Sequence, residues 1–87
     1  MKLALIGGGY WGKNLIRDFN KLGDLHTICD IDEEALKKYN EIYPSVKTTT
    51  NWNDILEDPE ITRVCIALPA HIHYKYAKQA LLSGKDV

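Results

Sequence analysis

Leu3-Ala4-Leu5-Ile6-Gly7-Gly8-Gly9-Tyr10-Trp11-Gly12 runs four apolar residues straight into a glycine turn. The apolar run has strand character, and a helix-like stretch begins at Tyr10. Gly7, Gly9 and Gly12 stand in the G-x-G-x-x-G spacing. Each glycine has its own reason. Gly7 permits the tight turn out of the strand. Gly9 lets a pyrophosphate approach the backbone where any Cβ would intrude. Gly12 lets the following helix pack closely on the sheet. The amides around Tyr10 and Trp11 open that helix and can donate to phosphate oxygens. Trp11 reads equally as an aromatic wall at this turn or as a packing residue.

The spacing alone is common, and its context makes it specific. A second apolar run ends in Cys29-Asp30, eighteen residues past Gly12. Strand before, helix after and an acid at the end of the next strand form the dinucleotide-binding fingerprint. A carboxylate at Asp30 can accept from both the 2′- and 3′-hydroxyls of an adenosine ribose. It would repel a 2′-phosphate, and Ile31 beside it offers no positive charge to hold one. NAD is therefore the expected cofactor, ahead of NADP. The alternatives are a glycine turn without a ligand, a solvated loop acid at Asp30, and a methyltransferase. A methyltransferase usually carries an acid just before its glycines, where this chain has Leu5-Ile6.

Outward from this turn, helical and strand periodicities alternate along the chain. Strands are expected at 2–6, 25–30, 46–49 and 62–68. Helices are expected at 10–22, from Glu33 to about Tyr43, in a short stretch after Asn51, and at 71–83. Asp32 reads as the N-cap of the second helix. The buried helical faces are expected to be Leu15, Ile16, Phe19 and Leu22; then Leu36, Tyr39 and Ile42; then Ile55 and Leu56; and last Ile72, Tyr76, Ala80 and Leu81. The run Val64-Cys65-Ile66-Ala67-Leu68 suits a strand buried on both faces. Lys85-Asp86-Val87 resembles the start of a further strand, leaving the Val64–Leu68 edge unpaired. The fold class is α/β: a partial Rossmann fold, with parallel sheet order 3-2-1-4 and helices on both faces. A ligand belongs in the crevice at the carboxyl ends of strands 1 and 4, where the strand order reverses.

Leu68-Pro69-Ala70-His71-Ile72-His73 enters the last helix on the far side of that crevice, where the nicotinamide half should pass. Pro69 rigidifies the turn and suits a helix start. His73 lies in the first turn, where the dipole favours neutral imidazole; a surface histidine at a helix end is the alternative. His71 reads as a surface residue, and His26 starts strand 2 away from the crevice. His71 and His73 do not share a helix face, so no metal site is expected. Trp52 fits a core position, and Thr48 to Thr50 read as ordinary strand residues.

Composition narrows the function classes. The 87 residues are 45% hydrophobic and 26% charged, with net charge −1. That gives no basic field for nucleic acid and no cationic anchor for a membrane surface. No apolar run approaches the roughly 20 residues that span a bilayer, and the run before Gly7 is too short for a signal peptide. A cytoplasmic protein is expected. Cys29 and Cys65 fall in strands that flank the first strand on opposite sides, roughly 9–10 Å apart. A disulfide needs Cα atoms within about 7 Å, so both read as buried apolar residues.

GGGYWGKN, CDID and IALPAHIHYKYAKQALLSGKDV together resemble the glucose–fructose oxidoreductase, inositol dehydrogenase and rhizopine-catabolism family, from residue 2 to residue 87. The YWGKN, YPSV and PAHIHY segments are most similar to its nucleotide-sugar dehydrogenases. The resemblance implies NAD-dependent hydride transfer from a sugar hydroxyl, the substrate being a sugar or UDP-sugar. It implies that residues 1–87 are the N-terminal part of the dinucleotide-binding domain. In the family a Glu-Lys-Pro strand and a substrate domain follow, carrying a catalytic lysine and a His or Tyr. No catalytic residue is therefore expected within this chain, which alone should be inactive. Gly7, Gly9, Tyr10, Trp11, Gly12, Asp30, Leu68, Pro69 and His73 are the expected cofactor-binding residues. Ala67-Leu68-Pro69 replaces the family's commoner Ala-Thr-Pro, which removes a threonine hydroxyl near the cofactor. A homo-oligomer is expected, and a stand-alone nucleotide-binding or interaction module without catalysis is the alternative.

Overall fold

The computed structural model describes residues 2–7 and 10–87, with only the backbone over 10–13. The elements are β1 (Lys2–Ile6), α1 (Tyr10–Leu22), β2 (Leu25–Cys29), α2 (Glu33–Ile42), β3 (Lys47–Thr49), α3 (Trp52–Glu57), β4 (Ile61–Ile66) and α4 (Ala70–Leu82). The strands form one sheet in the order β3-β2-β1-β4, and every pairing is parallel. This is the expected α/β architecture and strand order.

The strand period of two sorts the core into two layers. Ala4, Ile6, Ile61 and Val64 pack with Ile55 of α3 and Ala80 of α4. Leu5 and Ile28 pack on the other face with Ile16 of α1 and with Leu36 and Tyr39 of α2. Central β1 is buried from Leu3 to Ile6, because a helix layer covers each face.

Helix ends follow local chemistry. Asp32 caps α2, accepting from the amides of Glu34 and Ala35. Asn51 caps α3 through the amide of Asn53. Gly23 and Gly84 follow α1 and α4 with φ of 78° and 81°, the left-handed conformation that stops a helix and that glycine adopts without a Cβ penalty.

The structure departs from the sequence reading at the rims. Leu22, Ile42 and Leu81 are exposed, at 71%, 64% and 60%. Each lies in the last turn of its helix, beyond the sheet layer that covers the earlier apolar positions. β4 ends at Ile66, earlier than expected, and only Ile61 and Val64 along it are buried. Cys65 is half-buried, whereas Cys29 is buried; both are free thiols. They flank β1 on opposite sides, opposite Leu5 and Ile6.

The beginning of a fifth strand pairs earlier than the sequence suggested. Asp86 bridges Arg63 in parallel. The Val64 amide donates to the Asp86 carbonyl at 2.8 Å, and the Asp86 amide donates to Thr62 at 3.0 Å. The edge at Val64 is therefore paired. Lys85 beside it is only 6% exposed. Its ammonium donates to the carbonyls of Asp58 at 2.9 Å and Ile61 at 2.7 Å. Sequence reading gave Lys85 no such role.

Candidate functional site: the carboxyl ends of β1, β2 and β4

Gly7 is the centre of the site. Its φ is +91°, and a Cβ there would lie 2.5 Å from the Ala67 carbonyl oxygen and 2.8 Å from Leu68 Cδ2. Two independent constraints thus demand glycine: a left-handed backbone and a crossing backbone with no room. The Ala67 amide donates to the Ile6 carbonyl at 2.9 Å, carrying the β1–β4 ladder one residue past β4. β4 stops at Ile66 because beyond it the Ala67 carbonyl and the Leu68 side chain lie against Gly7 instead of continuing beside β1.

On the other side, the Gly7 amide donates to the Cys29 carbonyl at 2.9 Å. Asp30 follows Cys29 directly, so the glycine turn and the acid stand side by side. The Asp30 amide donates to the Thr49 carbonyl at 3.1 Å, and Asp30 Oδ1 accepts from the Asp32 amide at 3.0 Å. The residue between, Ile31, is 90% exposed. Thr49, read as an ordinary strand residue, proves to be a junction. Its hydroxyl donates to Asp54 Oδ2 at 2.6 Å and accepts from the Asn51 amide at 3.0 Å.

Leu68 is half-buried and packs on the core layer containing Ile6. Pro69 is the N-cap of α4, with φ −57° and no side-chain cap. Its carbonyl accepts from the amides of Ile72 and His73, both at 3.1 Å. His71 is exposed and His73 half-buried. His73 lines a cleft of about 470 Å³ beside β4, together with Phe19, Arg63, Cys65 and Ile66. Gly9 lies outside the described residues. Tyr10, Trp11 and Gly12 form the first turn of α1 in the backbone, and their expected contacts lie outside what the structure describes. Gly7, Asp30 and Leu68 come together on one rim, with Pro69 opening α4 beside them.

Burial pushes the Cys29 thiol up to about 11, with Asp30 and Asp54 adding to the rise. Burial likewise raises Cys65. Burial raises Tyr39, with further contributions led by Asp30. Trp52 is a packing residue. Its ring meets Tyr76 edge-on at 5.3 Å, and its Nε1 donates to Gln79 at 2.9 Å.

The opposite end of the sheet holds a polar cluster that sequence reading missed. His26 is the second residue of β2 and Glu60 precedes β4, and parallel strands bring both to one end. His26 Nε2 lies 3.2 Å from Glu60 Oε2, and Nδ1 lies 2.6 Å from Thr27 Oγ1. Ligand atoms of His26, Asp58 and Glu60 fall within 4.8 Å of one another. Glu60 is shared with Lys2, at 3.6 Å, so its carboxylate is already engaged by a cation.

A Gly7 position that only glycine can fill, an acid just past the neighbouring strand and a helix that opens at Tyr10 define a Rossmann-type dinucleotide-binding unit. The residues present suit that cofactor class: an N-terminal helix turn for phosphate and a held carboxylate for ribose. Comparison with known proteins is more particular. Residues 1–87 match the GFO_IDH_MocA family, the oxidoreductase family with an NAD-binding Rossmann fold, and the chain belongs to it.

The WlbA dehydrogenase of Bordetella pertussis, solved with NADH and UDP-GlcNAcA, is 25% identical with a TM-score of 0.85, over 98% of this chain and 26% of that one. The levoglucosan dehydrogenase of Pseudarthrobacter phenanthrenivorans is 26% identical, over 100% of this chain and 25% of its own. The biliverdin reductase of Synechocystis, solved with biliverdin and NADP+, is 27% identical with a TM-score of 0.82, over 97% of this chain and 27% of that one. This chain spans a quarter or less of the length of the curated relatives it matches. Among the described residues, no helix is long and apolar enough to cross a membrane.

Proposed function

We propose that this chain is the cofactor-holding portion of an NAD-dependent sugar dehydrogenase. The adjacency of Gly7 and Asp30, joined through the Cys29 carbonyl at 2.9 Å, carries the cofactor half of this reading. The turn at Gly7 leads the chain toward the α1 N-terminus, where a pyrophosphate can accept from main-chain amides. Asp30 accepts from the adenosine ribose hydroxyls. We assign Gly9, Tyr10, Trp11 and Gly12 to the pyrophosphate, and Leu68, Pro69 and His73 to the nicotinamide side. NAD is preferred over NADP because Asp30 repels a 2′-phosphate and exposed Ile31 supplies no cation.

The bound nicotinamide supplies the hydride acceptor. The residues of this chain bind and orient it. The substrate half rests on the relatives: one solved with UDP-GlcNAcA, another a levoglucosan dehydrogenase. A sugar hydroxyl, in a nucleotide sugar for preference, is the hydride source. The lysine and the His or Tyr that manage its proton are assigned to sequence beyond these residues. The reading includes a cytoplasmic protein that works as a homo-oligomer.

Calorimetry with NAD and NADP tests the cofactor reading on this chain. NAD should bind at least about tenfold more tightly, a difference of about 1.4 kcal/mol. Equal affinities, or a preference for NADP, would overturn the role given to Asp30. The chain alone should form no NADH with UDP-sugars. Substrate-dependent NADH formation by the pure 87-residue protein would overturn that division of labour.

A further inference from the structure

Asp32 does two things in one turn. Its Oδ1 accepts from the amides of Glu34 at 3.0 Å and Ala35 at 3.4 Å, which caps α2. That cap holds its backbone extended, at φ −88° and ψ 103°. In this conformation the Asp32 amide donates to Asp30 Oδ1 at 3.0 Å. The Asp30 backbone is held from the opposite side by the Thr49 carbonyl, at 3.1 Å. Ile31 between the two acids is 90% exposed. Its side chain adds little packing, so hydrogen bonds hold the turn.

We propose that Asp32 is a positioning residue for the adenosine ribose: its cap on α2 aims its amide, and that amide orients the carboxylate of Asp30. A carboxylate offers about four acceptor sites. Committing one oxygen to a main-chain amide settles the orientation of the others before the ribose arrives. Rotamer freedom that binding would otherwise freeze is already gone, which is how preorganisation raises affinity. The effect should fall on the adenosine hydroxyls and leave the rest of the cofactor alone. The proposal rests on the reading of Asp30 as the ribose acceptor.

The test compares NAD with its analogue lacking the adenosine 2′-hydroxyl, by calorimetry on this chain. Measurements are made at a temperature where circular dichroism shows every variant folded. The unsubstituted chain should prefer NAD by roughly tenfold, the scale of a hydrogen bond to a charged acceptor. Asp30→Ala should abolish the preference. Asp32→Ala should narrow it by about threefold, and Asp32→Ser, which restores a cap without the charge, should recover it. Should Asp32→Ala fail to fold, Asp32→Gly costs the helix far less and carries the same test. An Asp32→Ala chain with lower thermal stability and an unchanged preference would show a merely structural cap and overturn the proposal. So would an Asp32→Ser chain that behaves like Asp32→Ala, since charge and not aim would then be at work. If neither the unsubstituted chain nor Asp30→Ala shows any preference, the ribose reading of Asp30 fails as well.

Discussion

The Gly7 amide and the Cys29 carbonyl, 2.9 Å apart, join the turn that ends β1 to the residue that precedes Asp30. This bond carries the β1–β2 ladder past the last paired residues, Ile6 and Cys29. It thereby sets the spacing between the glycine turn, to which we assign the pyrophosphate, and Asp30, to which we assign the ribose. The Ala67 carbonyl closes the other side of the same glycine, 2.5 Å from where a Cβ would lie.

Gly7→Ala should therefore be severe. The substitution places a Cβ against backbone and forces alanine to φ +91°. Strain and overpacking each cost about 1–3 kcal/mol, together comparable to the stability of a domain this small. Urea unfolding should show a loss of at least about 3 kcal/mol, or no folded protein. A loss under about 0.5 kcal/mol would contradict the described packing at Ala67.

Lys85→Met should destabilise the chain by about 2 kcal/mol, because the carbonyls of Asp58 and Ile61 lose a charged donor in a buried place. Lys85 ties the end of α4 to the start of β4, so amide exchange should quicken first around Ile61 and Asp86. Unchanged stability would mean that the ammonium's desolvation cancels its two hydrogen bonds.

Asp30→Ser combined with Ile31→Arg should reverse the cofactor preference. The first change removes the charge that repels a 2′-phosphate, and the second supplies a fork that can bind one. NADP should then bind more tightly than NAD in calorimetry. Loss of binding to both, in a folded protein, would show that Asp30 contributes something other than discrimination.

Cys29 should resist alkylation at pH 8, since burial and the neighbouring Asp30 and Asp54 hold its thiol up at about 11. The reactive species is the thiolate. Half-buried Cys65 should label first, as read by peptide mass. The raised value also makes a stability statement. Below about 9, its ordinary value, the thiol is protonated folded or unfolded, and its contribution to stability is fully present. Between about 9 and about 11 the unfolded chain ionises while the folded one does not, and that contribution is lost. Cys29→Ala should flatten the alkaline fall in stability. A fall as steep as in the unsubstituted chain would assign it to other groups.

Much of this was legible in the residues. Alternating periods and the glycine turn predict every strand, helix and the sheet order, because those features follow from local chemistry and parallel connections. The N-cap role of Asp32 was readable for the same reason. The helix-end exposures of Leu22, Ile42 and Leu81 were not, since periodicity says which face is apolar and not where the opposing layer stops. Lys85 and Thr49 were invisible because their partners are main-chain carbonyls and side chains brought near by the fold. The early end of β4 depends on a crossing with Gly7 that no local pattern encodes.

Titration of the chain with ADP-ribose, followed by backbone amide shifts, tests whether the glycine turn and Asp30 together hold the cofactor. Saturable shifts are expected at Gly7, at the first turn of α1 and at Asp30 through Asp32, with little change at His26 and Glu60, on the opposite end of the sheet. The absence of any shift at saturating millimolar ligand, or shifts confined to that opposite end, would contradict that joint role.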